Sequence, residues 1–309
     1  MSYLAITLLA ALPLFSFGQS APILDSTAKV SPFAPGVVST RYDEGANCFS
    51  SDGKTVYFTM GSAFSTICCS NNVDGKWIRP EVASFSGRWN DQDAFVSPDG
   101  KWLVYSSDRP LPGTSVPNNH SDLWYVNKVN GKWGEPQHLD SVINSGANNY
   151  APSISADGTL YWCSPNRPGY KGKGMQGYSA TWLGNHYGTA QIITIEGINH
   201  VQDPFIAANG KYLVFLSGRD ICVSMRGENG WAKAIKLGTP VSLGDYIGAP
   251  NVSRDGKTLY FTTARKKGFY KRDPNAPAIT YDELLKENNS LFNGKGNILM
   301  VPVNLPDGN

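Results

Sequence analysis

Few residues of this chain have the type and spacing to do chemistry. Arg109, Arg167, Arg219 and Arg265 each fall ten positions after the Asp or Asn of an Asp-Gly or Asn-Gly pair. A planar guanidinium presents a fork of donors suited to a carboxylate, sulfate or phosphate, so four of them on one side of a scaffold would form an anion-binding ring. The alternative is structural: each arginine pairs with a neighbouring carboxylate such as Asp93 or Asp203 and tethers a loop. A second set is acidic and polar, comprising Asp91, Asp93 and Asp203 with His200 and Tyr150. Such groups act as general acid and base where a neighbouring charge moves a carboxyl toward neutrality. Otherwise they serve as strand-start residues bonded to exposed backbone. Asn149, Gln202 and Tyr246 stand beside them as further ligand-binding candidates.

Other chemistry is thin. The four histidines, His120, His138, His186 and His200, have no H-E-x-x-H or comparable spacing, so neither a metal nor a cofactor is expected. There is no G-x-S-x-G elbow, P-loop or dinucleotide-binding glycine motif.

What must position these residues is a repeat. The stretches CFSSDGKTVYF (Cys48 to Phe58), FVSPDGKWLVY (Phe95 to Tyr105), SISADGTLYWC (Ser153 to Cys163), FIAANGKYLVF (Phe205 to Phe215) and NVSRDGKTLYF (Asn251 to Phe261) are five copies of one unit. Each predicts a β-hairpin, with a tight Asp-Gly or Asn-Gly turn between runs of β-branched and aromatic residues. A third strand follows, as in DLWYV (Asp122 to Val126), and a fourth begins at Gly and Trp, as in GKW (Gly75 to Trp77). A four-stranded blade cannot bury both faces alone, so the copies must stack around an axis. The expectation is an all-β propeller of four-stranded antiparallel blades, five in number, with six open if one copy has degenerated. The fifth copy ends after its third strand, and GVVST (Gly36 to Thr40) is the segment expected to supply the missing outer strand.

The units resemble the TolB-like, WD-repeat-like propeller repeats of exported Bacteroidetes-type proteins, through SPDGKWLVYSSDRP (Ser97 to Pro110), SDLWYV (Ser121 to Val126) and APSISADG (Ala151 to Gly158). The resemblance covers about residues 36 to 302 and implies a fold. It leaves function open, because such propellers include both binding scaffolds and enzymes.

The hairpin logic also sorts residues by face. The Asp-Gly turns lie at one end of the blades; the segments leading into the first strand and leaving the second lie at the other. That second face also carries the long loops Pro110 to Ser121, Pro168 to Gly177 and Lys266 to Gly296. The last includes Lys266, Lys267, Lys271 and Arg272, and Thr280 and Glu283 have capping-box spacing ahead of a short helix. Long loops on a rigid scaffold concentrate binding residues.

Composition agrees with the fold. Of 309 residues 41% are hydrophobic, with 32 Gly and 20 Pro for the turns, and a net charge of +2 is too small for a nucleic-acid footprint. Residues 1–19 read as a signal peptide, apolar from Tyr3 to Phe17, although no Lys or Arg precedes the apolar run. An uncleaved anchor is the alternative, but the run is short for a bilayer span. Residues 20–35 read as a linker and 36–309 as one propeller domain. The five cysteines, an odd number without metal spacing, read as small buried hydrophobes. Together these features lead to an exported, periplasmic or secreted, monomeric binding propeller that presents an arginine-containing face to a glycan or an envelope protein. A lyase or hydrolase on an acidic sugar and a TolB-like envelope assembly component are the alternatives.

Overall fold

The computed structural model describes residues 22–61, 63–145, 148–165, 167–168, 170–172, 174–241, 246–266, 275 and 277–309, with only the backbone of residues 265 and 266. Five antiparallel sheets form the five blades of a β-propeller. Their innermost strands are Glu44–Phe49, Asp91–Val96, Tyr150–Ile154, Gln202–Ile206 and Tyr246–Val252. Each pairs with a second strand across the expected turn, for example Phe95 with Val104 and Phe205 with Val214.

The turns follow from local chemistry. Asp52 Oδ1 accepts from Ser50 Oγ (2.6 Å) and from the Lys54 amide (3.0 Å), and Ser97 with Asp99, Ser155 with Asp157 and Ser253 with Asp255 repeat the arrangement. The following glycine takes a left-handed φ, +70° at Gly53. At Gly256 the need is stricter, since a Cβ would meet the Leu305 and Pro306 carbonyl oxygens within 2.6 Å.

Apolar faces of successive blades pack against one another around the ring, with Trp162, Tyr105, Tyr212, Phe58 and Phe215 fully buried. All five cysteines are free, and four of them are buried. The helix Tyr281–Asn288 is capped as its sequence predicts, with Thr280 and Glu283 bonding reciprocally. Residues Lys267, Lys271 and Arg272 lie outside the described residues. No described helix is long and apolar enough to cross a membrane.

The ring closes as foreseen, but with a different segment. The outer strand of the fifth blade is Ser31–Pro32, paired with Met300 and Leu299, and it falls within the stretch read as a linker. Gly36 to Thr40 instead form a tight loop, in which the Val38 amide donates to Ala34 O (2.9 Å) and the Gly36 amide to Ser39 O (2.8 Å). The Pro35-Gly36 pair turns the chain there, with φ of +81° at Gly36. The loop still anchors the ring: Val38 is fully buried, and Ser39 Oγ donates to Ile298 O (2.7 Å).

Candidate functional site

The innermost strands begin at the loop-rich face, and each carries a β-bulge at the same place. Ala46, Asp93, Ala151, Asp203 and Ala249 occupy the bulge with φ between +45° and +57°. This conformation disfavours any residue with a Cβ, so something must hold it. The neighbouring blade does so by accepting the bulge amide. Ala46 N–H donates to Thr262 Oγ1 (3.0 Å) and Asp93 N–H to Thr59 Oγ1 (3.1 Å). Ala151 N–H donates to Asp93 Oδ2 (3.0 Å) and Ala249 N–H to Asp203 Oδ2 (2.9 Å), while Asp203 N–H faces the Cys163 sulfur.

This ring explains why aspartates stand at only two of the five bulges. Thr59, Cys163 and Thr262 occupy the same place on the second strands of blades one, three and five, and each supplies an acceptor. Blade two has Ser106 there, whose hydroxyl donates to Asn149 O (2.6 Å), and blade four has Leu216. In those blades the bulge residue must supply the acceptor itself, and it is Asp93 or Asp203.

Strand alternation then decides which predicted residues reach the axis. Gln92, Tyr150 and Gln202, one position before the bulge, line an open axial cavity of about 500 Å³ together with Asp93, Asp203 and Tyr246. Tyr246 bends back over its own strand, so that a Cβ on Gly248 would sit 2.5 Å from the tyrosine hydroxyl. Asp43, Lys295, Thr59 and Thr262 complete the polar wall. Residues two positions before the bulge point into the blades. Asp91 is fully buried and accepts from Ser107 Oγ (2.6 Å), Ser86 Oγ (2.8 Å) and Arg109 (2.9 Å), and Asn149 is fully buried beneath Trp162 Nε1 (3.2 Å).

The arginines do not form a ring of open donors. Arg109 is buried between the rings of Tyr105 and Trp124, paired with Asp91 rather than with Asp93 or Asp203, and it also donates to Phe85 O (3.1 Å). Arg167 is buried against Trp162 and Tyr178 and donates to Ile143 O (2.6 Å) and Val142 O. Arg219 is exposed in the short turn between Ser217 and Asp220. The side chain of Arg265 lies outside the described residues. His200 is exposed and is not part of the axial wall. The acidic and polar set therefore converges without Asp91 and His200.

Electrostatically, the two bulge carboxyls are shifted upward from their ordinary range. Burial, reinforced by the negative charge of Asp203, pushes Asp93 up to about 7, and burial raises Asp203 as well. Burial also raises the Tyr150 and Tyr246 phenols, and the two carboxylates add to the effect on Tyr246. Among the described residues no three His, Cys, Asp or Glu side chains are grouped as metal ligands would be.

Lys295, Thr59 and Thr262 escaped sequence reasoning, although the bulge itself left a trace. Pro152, Pro204 and Pro250 each follow a bulge residue, and a proline within an apparent inner strand signals interrupted pairing.

No family model matches the chain, and no curated protein matches it in sequence. Solved structures with a similar architecture include TolB from Acinetobacter baumannii, at 15% identity and a TM-score of 0.49 over 86% of this chain and 56% of that one. A gluconolactonase from Xanthomonas campestris is similar at 11% identity and 0.49, over 90% of both chains. A protein of unknown function from Dyadobacter fermentans is similar at 13% identity and 0.49, over 89% of this chain and 99% of that one. The chain thus spans little more than half the length of the Acinetobacter TolB.

Proposed function

We propose that this protein is an exported binding propeller of the TolB-like, WD-repeat-like kind, which holds a glycan in the axial cavity of its loop-rich face without transforming it. One observation carries the reading: the cavity of about 500 Å³ joins two tyrosine faces, Tyr150 and Tyr246, to the amides of Gln92 and Gln202 and to carboxyls on its floor. Sugars offer apolar C–H faces to aromatic rings and hydroxyls that both donate and accept, and a concave site of this size suits a few sugar units. This reading puts the site at the axis rather than at the arginines, and with it the preference for an anion weakens. A concave pocket also suits a glycan better than the flat face of a protein partner.

Calorimetric titration against a panel of periplasmic and extracellular glycans tests this. Tyr246→Ala and Gln202→Ala are expected to weaken capture about tenfold or more with an unchanged thermal transition; unaltered binding in both removes the axial cavity as the site. Arg109→Ala is the contrasting control. It leaves Asp91 buried without its cation, so a stability loss of roughly 3–5 kcal/mol is expected.

A second reading has its own observation, the Asp93 carboxyl held near neutrality beside Asp203. A carboxyl so placed is matched to general acid catalysis, as a hydrolase or lyase on an acidic sugar requires. Release of product from such a polysaccharide, abolished by Asp93→Asn while binding persists, would replace the first reading with this one.

A further inference from the structure

The opposite mouth of the channel, where the Asp-Gly turns lie, opens into a second cavity of about 490 Å³. Its character is aromatic. Phe33, Phe49, Trp77 and Tyr260 form one cluster on its wall, with Phe33 centred 5.2 Å from Tyr260 and 5.4 Å from Trp77, mostly edge to face. Phe95 and Phe205 meet 6.2 Å apart near the axis.

One cation is set into this apolar surface. The residue before the turn aspartate or asparagine is Ser51, Pro98, Ala156, Ala208 and Arg254 in the five blades, so only the fifth is charged. Arg254 reaches past the first blade and donates to Pro98 O of the second (2.7 Å), lying partly buried across the mouth. Among the described residues no carboxylate lies within 4.0 Å of its guanidinium, and desolvation lowers its pKa. The nearby Asp52 and Asp255 each commit an oxygen to their own turns, so Arg254 keeps unused donors facing an aromatic chamber. Tyr212, on the same wall, is fully buried and its hydroxyl has no hydrogen-bond partner among the described residues.

We infer that this cavity is a second binding site, distinct from the axial site on the other face, for a small aromatic or fused-ring monoanion whose acidic group bonds Arg254 and whose ring body fills the chamber between Phe95, Phe205 and Tyr260. The volume lies within the range of small-molecule pockets, and an apolar site with a few placed polar groups is the usual form of such pockets. A carboxylate or sulfonate supplies a charged acceptor for the donors that the Pro98 carbonyl leaves unused, and the aromatic walls exclude water from that bond.

Fluorescence titration with two matched probes tests the assignment: 8-anilinonaphthalene-1-sulfonate, an aromatic monoanion, and N-phenyl-1-naphthylamine, its neutral counterpart. Both are expected to bind the full protein. Arg254→Gln should weaken the anion about tenfold to a hundredfold, the scale of one charge-assisted hydrogen bond. The neutral probe should change by less than about twofold. Arg254→Lys should retain part of the anion affinity, and Ala208→Trp, which fills the rim, should expel both probes. Anion binding untouched by Arg254→Gln, equal losses of both probes in that variant, equal loss in Arg254→Lys and Arg254→Gln, or full binding in Ala208→Trp would each overturn the proposal.

Discussion

The two mouths of the channel use the same side chain in opposite ways. At the loop-rich mouth Asp93 and Asp203 lie at the bulges, accept one amide each from the next blade, and are raised by burial. At the turn mouth Asp52 and Asp255 are lowered, each by a serine hydroxyl two residues earlier and by an amide of the turn. For Asp99 and Asp157 burial pushes upward, but the serine hydroxyl and the turn amide together outweigh it. One end of the hairpin therefore lowers its carboxyls and the other raises them. The difference is the balance of burial against hydrogen-bond supply: a turn of four or five residues surrounds a carboxylate with local donors, whereas at the bulges burial outweighs the donors present. Those donors are one amide for Asp93 and the Ala249 amide, the Cys163 thiol and Gln202 for Asp203, and the charge of Asp203 adds to the effect on Asp93.

The largest expected effect that tests this contrast is a pH dependence. Asp93 has a folded pKa near 7, above the unfolded value near 4, so the native state binds the extra proton between them and stability falls as pH rises through that window. The drop attributable to this site is of the order of a few kcal/mol, and Asp93→Asn should flatten it in denaturant melts between pH 4 and 8. The turn aspartates work in the opposite direction. Their folded pKa values are depressed, so their contribution is present above the unfolded value and lost as pH falls below it. A wild-type profile that rises from pH 5 to 8, with Asp93→Asn unchanged from it, would break the comparison.

A smaller effect is expected at the bulge acceptors. Thr59→Val and Thr262→Val each leave a bulge amide of the next blade without its acceptor, at about 1–3 kcal/mol apiece if no water replaces it. Urea unfolding measures it, and losses below a few tenths would mean the bulge ring holds without these hydroxyls. At the turn mouth, Ser253→Ala removes one of the donors to Asp255, with an expected cost near 1 kcal/mol and an upward move of the Asp255 titration followed by NMR. Smallest of all is Lys101→Ala, which breaks an exposed 3.7 Å pair with Asp99. No measurable change in the melt is expected, because the Asp99 carboxylate is held by Ser97 and the turn amide instead.

Much of this architecture is legible in the residues alone. Five Asp-Gly or Asn-Gly hairpins specify the blade number, and Thr280 with Glu283 specifies the helix start, because both depend on contacts within a few residues. The division of the chain into two mouths follows from hairpin geometry, and it grouped Asp93, Tyr150, Gln202, Asp203 and Tyr246, which line one cavity in the structure. Tertiary structure decided what sequence spacing leaves open. It chose Ser31–Pro32 over Gly36 to Thr40 as the closing strand, since only register against Met300 and Leu299 distinguishes them. It turned Arg109 and Arg167 into the blades, where aromatic faces, Asp91 and backbone carbonyls hold them. The bulge ring belongs to the same class, because each strained residue is held by an acceptor on a different blade, dozens of positions away in the chain. Turns and caps satisfy their donors locally and can be read along the chain; the chemistry at the axis is satisfied only between blades and exists once the ring has closed.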